Sequence, residues 1–243
     1  MKQDRSLSSD IQIRRLGMVP YRDAVAIQAR LQAHRQAEEI PDTLLLLEHP
    51  PVYTRGRRSR DGELSLREGF YRAKGIEIVS TDRGGRVTYH GPGQLVGYPI
   101  MRVSDIGAHL RTMEAAIVAA LAEYGVEARS RCHEGIDYTG VWVQDRKIAS
   151  IGVHVSRGVS THGFAVNVIN DLEPFSWIVA CGLPDVTMTS VERELGHAPG
   201  GGLDGFAERM ARCFCEAHGR GLLAVVPEDA GIAASARHTL VGA

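Results

Sequence analysis

The stretch "TLLLLEH", Thr43–His49, constrains the architecture of this chain more than any other. A strand with one wet face alternates apolar and polar residues, and four consecutive leucines break that alternation. The run is short and continuously apolar, so it reads as a buried strand. A sheet must therefore have neighbours on both sides of this segment. The flanking sequence offers them. "IQIRRL" reads as a first strand, and Tyr21–Glu39 as a helix with Ala24, Ile27 and Leu31 on one face. "IEIVSTD" reads as a further strand.

"RGGRVTYHGPGQLVGYP", Arg83–Pro99, holds five glycines and two prolines among polar-tipped side chains. It breaks into "VTYH", a "GPG" turn and "LVGYPIM", two strand segments joined by a tight connection. His109–Tyr124 reads as a helix. "TGVWVQDRKIASIGVHV" reads as a hairpin with Gln144, Asp145 and Arg146 near its turn. "HGFAVNVI" continues the sheet. "PFSWIVACGLP" is a short apolar turn or helix that stops at Gly182 and Pro184. Leu203–His218 is an amphipathic helix and "LLAVV" a last strand. The expected class is α+β (mixed α/β), with helices packed on a largely antiparallel mixed sheet.

Length and charge narrow the function. The 243 residues are 44% hydrophobic and 23% charged, which suits one domain over residues 1–226, with a flexible C-terminal tail over 227–243. A net charge of −1 gives no overall field for nucleic acid. "TRGRRSR", Thr54–Arg60, is a local basic loop: either a solvated surface or a patch for an acidic partner. The polar N-terminus lacks the apolar core of a secretory signal, and no apolar run nears the ~20 residues of a membrane helix. A cytoplasmic, monomeric protein with no membrane contact is expected.

The four cysteines form neither paired zinc knuckles nor a disulfide scaffold, and no compact metal-ligand spacing occurs. Cys213 falls on the apolar stripe of its helix and reads as core. Cys215 lies off that stripe, and Cys132 sits in a polar turn. Cys181 differs: it lies at a change of chain direction before Gly182, a place for either a thiol at a pocket floor or a structural buried cysteine. A nucleophilic thiol needs an activator. Lys147 lies between a polar turn and an apolar run. It is either a snorkelling lysine or one drawn into the interior, where a thiolate neighbour would couple to it. In the glycine-rich segment, Gly84 and Gly85 permit close approach of a ligand to backbone. Arg83, Tyr89, His90 and Gln94 cluster beside them. His90 has two readings, a hydrogen bond to a reacting group or a tie between strands. The faces used by His154 and His162 are open.

These motifs resemble the lipoyl(octanoyl) transferases. "DRGGRVTYHGPGQLVGYP" is similar to that family's signature, "RKIASIG" to its lysine segment, "HGFAVNV" to its next strand, and "ACGL" followed by "VTMTSV" to its cysteine segment. With "LLLLEHPPVYTRGRR" upstream, the resemblance runs from about residue 11 to residue 198. It implies a biotin/lipoate protein ligase-like catalytic domain. It implies Cys181 as the carrier of an acyl thioester and Lys147 as its partner. It also implies an acyl pocket from Arg83, Gly84, Gly85, Arg86, Val87, Thr88, Tyr89 and His90, from Ser150, Ile151 and Gly152, and from Gly163, Phe164 and Ala165. Ala180 departs from the family, which often has proline there. The implied donor is an octanoyl-acyl carrier protein. The implied acceptors are lipoyl domains of 2-oxoacid dehydrogenases and the glycine cleavage H protein, with no cofactor. The competing readings are an ATP-dependent lipoate or biotin ligase of the same fold, a Cys–His hydrolase, and a non-catalytic lipoyl-domain-binding module.

Overall fold

The computed structural model describes residues 9–182 and 186–226. In chain order it holds β1 (Ile11–Met18), α1 (Tyr21–Gln36), β2 (Thr43–Glu48), β3 (Val52–Arg55), α2 (Glu68–Ala73), β4 (Glu77–Ser80), β5 (Thr88–His90), β6 (Gln94–Ile100) and α3 (Ile106–Ala122). There follow β7 (Arg129–Ser130), β8 (Gly140–Val143), β9 (Arg146–Ser156), β10 (Val159–Asn167), β11 (Thr187–Met188), α4 (Val191–Leu195), α5 (Gly202–Ala217) and β12 (Leu222–Val226). The tail expected from Pro227 onward and the stop signal at Pro184 lie outside the described residues.

The large sheet runs β12-β1-β2-β6-β10-β9-β8-β7, with β11 alongside β9. β1 is parallel to both of its neighbours, and every step from β2 to β7 is antiparallel. The leucine run shows why this sheet has no wet centre. Leu44 and Leu46 pack with Met113 and Ile117 of α3 and with Phe206 and Met210 of α5. Leu45 and Leu47 face the other way, onto Ala24 and Leu31 of α1. Period-two alternation thus sends the run into two cores at once. The expected α+β class with a mixed, largely antiparallel sheet is what the chain adopts.

Three expectations change. The helix expected at His109–Tyr124 starts earlier, at Ile106, because the Asp105 side chain accepts a hydrogen bond from Ala108 N at 3.0 Å and caps it. The two strands of the glycine-rich segment do not pair with each other. β5 joins β3 and β4 in a separate three-stranded sheet, while β6 enters the large sheet between β2 and β10. The connection at Gly91–Gly93 carries the chain from one sheet to the other, and Gly93 N donates to the Glu48 carboxylate at 2.6 Å. The basic loop is also shorter than its composition suggested, since Thr54 and Arg55 end β3.

The small sheet packs over a third core of Tyr53, Tyr71, Val87, Tyr89, Phe175 and Ala180. No helix among the described residues is long and apolar enough to cross a membrane.

Two buried histidines tie stability to pH. Burial lowers His49 to about 4 and His109 to about 4, from an ordinary 6.5. The unfolded chain then binds protons that the folded chain refuses between about pH 6.5 and pH 4. Stability is complete above pH 6.5 and declines as pH falls through that window. His109 Nε2 has no hydrogen-bond partner among the described residues, so His109→Leu should leave stability at pH 7 unchanged or raised. In urea titrations the variant should lose less stability between pH 7 and pH 4.5 than the parent. Equal losses would show that His109 is protonated in the folded state.

Candidate functional site

The site is built on the β9–β10 pair. Its register places Gly163 opposite Gly152, Phe164 opposite Ile151 and Ala165 opposite Ser150. The two triplets read from the sequence are therefore one surface, although a turn and several residues separate them in the chain. They line a cavity of about 220 Å³. Ile151, Phe164, Ala165 and Val87 make its walls apolar, and Lys147 lies on its lining near the start of β9.

The glycine-rich segment forms the facing wall. Gly84 N donates to Val153 O at 2.9 Å, seating the loop on β9. A Cβ on Gly152 would lie 2.6 Å from the Gly84 carbonyl oxygen, so only glycine allows this approach. Arg83 is buried and folds the loop around itself. Its guanidinium donates to Thr54 O at 2.6 Å, to Gly84 O at 2.9 Å and to Arg86 O at 2.8 Å. Arg86 reaches outward instead, to Glu63 at 2.9 Å and to Asp137 at 3.4 Å, and these carboxylates hold it more firmly protonated than usual.

Alternation along β5 then sorts the rest. Thr88 and His90 line the cavity, and Val87, just before the strand, both lines it and packs in the small sheet's core. Tyr89 packs away from it, against Tyr53 and Phe175, and differs in this from its expected place in the pocket.

His90 is both buried and tied. Its Nδ1–H donates to Gln94 Oε1 at 2.8 Å, and Nε2 lies 3.4 Å from the Thr54 hydroxyl. Gln94 in turn donates to Asn167 Oδ1 at 2.9 Å. Burial, with Arg83 and His49 close by, pushes His90 well below its ordinary range, so the ring is neutral at pH 7. Its neighbours Tyr21, Tyr98 and His162 also line the cavity. His162 Nε2–H donates to Asp82 at 2.7 Å, and Tyr98 O–H donates to His49 Nε2 at 2.7 Å. Sequence reasoning missed Tyr21, Tyr98 and the rim residues Ile106, Ile136 and Asp137. Tyr21 and Ile106 open helices and Ile136 and Asp137 lie in a short 3₁₀ turn, where no motif marks them, whereas Tyr98 lies on β6 inside the glycine-rich segment.

Lys147 does not snorkel. It is 1% exposed, and its ammonium lies 5.1 Å from the centre of the Trp142 ring. The neighbouring β11 pairs with the same stretch of β9: Met188 lies beside Lys147, and Thr189 N donates to Lys147 O at 2.9 Å. This pairing ties the segment that follows Cys181 to the lysine strand. Cys181 itself lies in a 3₁₀ turn, Ala180–Gly182. Ala180 is sunk in the small sheet's core, and Val179 N donates to Glu63 O at 2.8 Å. Gly182, at φ +71°, has the Arg86 side chain directly over its Cα. Ala180, where the family often has proline, is thus held by burial and backbone bonding.

The other thiols separate cleanly. Burial raises Cys213 and Cys215 to about 11, and both belong to the core. Cys215 is therefore core as well, because its turn of α5 is covered on more than one side. Cys132 is exposed.

The chain matches the lipoyl protein ligase A/B catalytic domain over residues 20–215. An octanoyltransferase of Rubrobacter xylanophilus is 50% identical over 192 residues, 77% of this chain and 85% of that protein. This chain belongs to the octanoyltransferase family. An octanoyltransferase of Caldicellulosiruptor saccharolyticus, 41% identical, is matched over 88% of this chain and 91% of its own length. In three dimensions, a lipoate-protein ligase A bound with ATP superposes with a TM-score of 0.71 at 18% identity, over 88% of this chain and 89% of that one. That likeness shows that this chain shares the ligase fold.

Gly152→Ala tests the cavity wall. The added methyl must displace the Gly84 carbonyl, costing about 1–3 kcal/mol. The expected result is a lower melting temperature together with weaker binding of octanoate in calorimetry. Unchanged values for both would mean that the glycine-rich loop does not rest on β9.

Proposed function

We propose that this chain transfers an octanoyl or lipoyl group from acyl carrier protein to a lysine of lipoyl domains, through a thioester on Cys181. The acceptors are the lipoyl domains of 2-oxoacid dehydrogenases and the glycine cleavage H protein, and the setting is the cytoplasm. Family membership supports the reaction class. The observation that carries the assignment of roles is a fully buried lysine on the lining of an apolar cavity, on a strand paired with the segment that follows Cys181.

The chemistry follows from these groups. Lys147, as the amine, takes the Cys181 thiol proton. The resulting thiolate and ammonium form an ion pair. The thiolate attacks the carbonyl of the carrier thioester. The carrier sulfur leaves with its electron pair and takes the proton from the Lys147 ammonium. One thioester bond has formed and one has broken. The acceptor lysine amine then attacks the acyl-enzyme and loses a proton through Lys147 as the amide forms, and Cys181 departs as thiolate.

The donor arrives activated, so the reaction requires no ATP. Small residues at the β9–β10 register, Gly152, Gly163 and Ala165, leave width for a straight alkyl chain, while Ile151 and Phe164 supply apolar contact. At about 0.8 kcal/mol per buried methylene, a chain of about eight carbons binds usefully yet reversibly. Arg83 and His90 shape the wall through the loop and strand that they tie. The basic residues beyond β3, Arg57 and Arg60 among them, are exposed and suit an acidic carrier surface.

Intact-protein mass spectrometry after incubation with octanoyl carrier protein should show one octanoyl adduct on the parent and none on Cys181→Ser. Lys147→Ala should slow adduct formation by at least about 100-fold, and it should raise the apparent pKa of Cys181 alkylation. Equal labelling of Cys181→Ser refutes the nucleophile. Transfer that requires ATP and free octanoate assigns the chain to ligase chemistry instead.

A further inference from the structure

Lys147 is 1% exposed, so protein groups hold its side chain in place of water. One group that faces the ammonium is set by strand pairing.

The β8–β9 pairing supplies a candidate. Gly140 pairs with Ser150 and Val141 with Ala149, but Trp142 pairs with Lys147, because a bulge inserts one extra residue on β9. Directly opposed residues share a face of the sheet, so the bulge brings the indole and the lysine to the same side. The ammonium sits 5.1 Å from the ring centre. The indole is itself held. Its N–H donates to Tyr138 O at 3.0 Å, and the Arg131 guanidinium stacks over it at 4.6 Å. Arg131 is tied in turn to Glu134 at 2.7 Å.

The lysine stem is confined as well. A Cβ on Gly140 would lie 2.8 Å from Lys147 Cε. The bare Gly140 is fixed by Glu114, a buried carboxylate of α3 that accepts its N–H at 2.9 Å.

We infer that Trp142 is a positioning residue for the reaction: its ring face holds the Lys147 ammonium in the geometry that stabilises the Cys181 thiolate. An indole quadrupole attracts a desolvated cation more strongly than an exposed one, and tryptophan does so better than phenylalanine. This inference rests on the proposed roles of Lys147 and Cys181. A residue that merely filled space would be replaceable by any ring of equal shape.

That difference can be read without changing shape. The chain has two tryptophans, Trp142 and Trp177. In a Trp177→Phe background, Trp142 is replaced biosynthetically by tryptophans carrying an increasing number of ring fluorines, which withdraw electron density from the face. The measurements are the pH dependence of Cys181 alkylation and the single-turnover rate of octanoyl adduct formation. The expected result is a stepwise rise in the alkylation pKa and a stepwise fall in rate, each fluorine acting in the same direction, at constant melting temperature. In a Lys147→Ala background the series should be flat.

A flat series in the presence of Lys147 overturns the role of Trp142. If Lys147→Ala alone leaves alkylation and acylation unchanged, it is the Lys147 assignment that fails, and Trp142 falls with it. Trp142→Leu, which removes the ring, should approach the Lys147→Ala phenotype, whereas Trp142→Phe should fall between.

Discussion

The antiparallel register of β9 against β10 is the constraint on which the rest of the site depends. It sets Gly152 across from Gly163 and Ile151 across from Phe164, so small and apolar positions fall together. A slip of one residue would turn every side chain to the opposite face. β9 also carries the other relationships. Its first residues receive β8 on one side and β11 alongside, and its middle receives the Gly84 amide. Four segments, β8 and β10 next to it in the chain and β11 and the Gly84 loop far from it, thus take their positions from one strand. The chemistry is assembled by strand pairing, with loops adding the rim.

Much of this was legible because it is periodic or compositional. The leucine run announced a buried strand, and the apolar stripes of α3 and α5 fixed two helices to within a few residues. The triplets of β9 and β10 could be named from family resemblance, though only register explains why they belong together. Other features depend on partners far away in sequence. Nothing local says that β5 and β6 enter different sheets, since both read as good strands and only their partners, β3 and β10, separate them. Tyr89 fell on the wrong side for the same reason. Alternation was visible in "VTYH", but which phase faced the cavity depended on the aromatic cluster around Tyr53 and Phe175. Lys147 was undecided between surface and interior until Trp142 and Gly140 were placed around it.

The ligase likeness and the family membership speak at different levels. The likeness to a lipoate-protein ligase bound with ATP concerns the fold alone. In the proposed reaction the route is set by a few groups at the cavity. A free acid must be activated at the site, whereas a thioester needs only a nucleophile and a proton carrier. In the proposed reaction the buried lysine held against an aromatic face takes the second task. The neutral histidines around His90 serve geometry, because their rings are spent on hydrogen bonds to Gln94, Val19 and Asp82.

The passage from β5 to β6 through Gly91–Gly93 has a mechanical meaning. The chain changes sheets across a connection too short to hold slack, and Glu48 clamps its Gly93 amide. The two walls of the cavity are therefore joined by a taut hinge pin near His90. Spreading them to admit a branched or bulkier chain would require breaking that pin. At the other end the rim is loose by comparison: Ile136 is 67% exposed on a single 3₁₀ turn. Such a cavity resembles a clothes peg, stiff at the pivot and yielding at the lips. Variation in the acyl groups that different members of this fold accept would then arise at the lips, while the pivot stays the same.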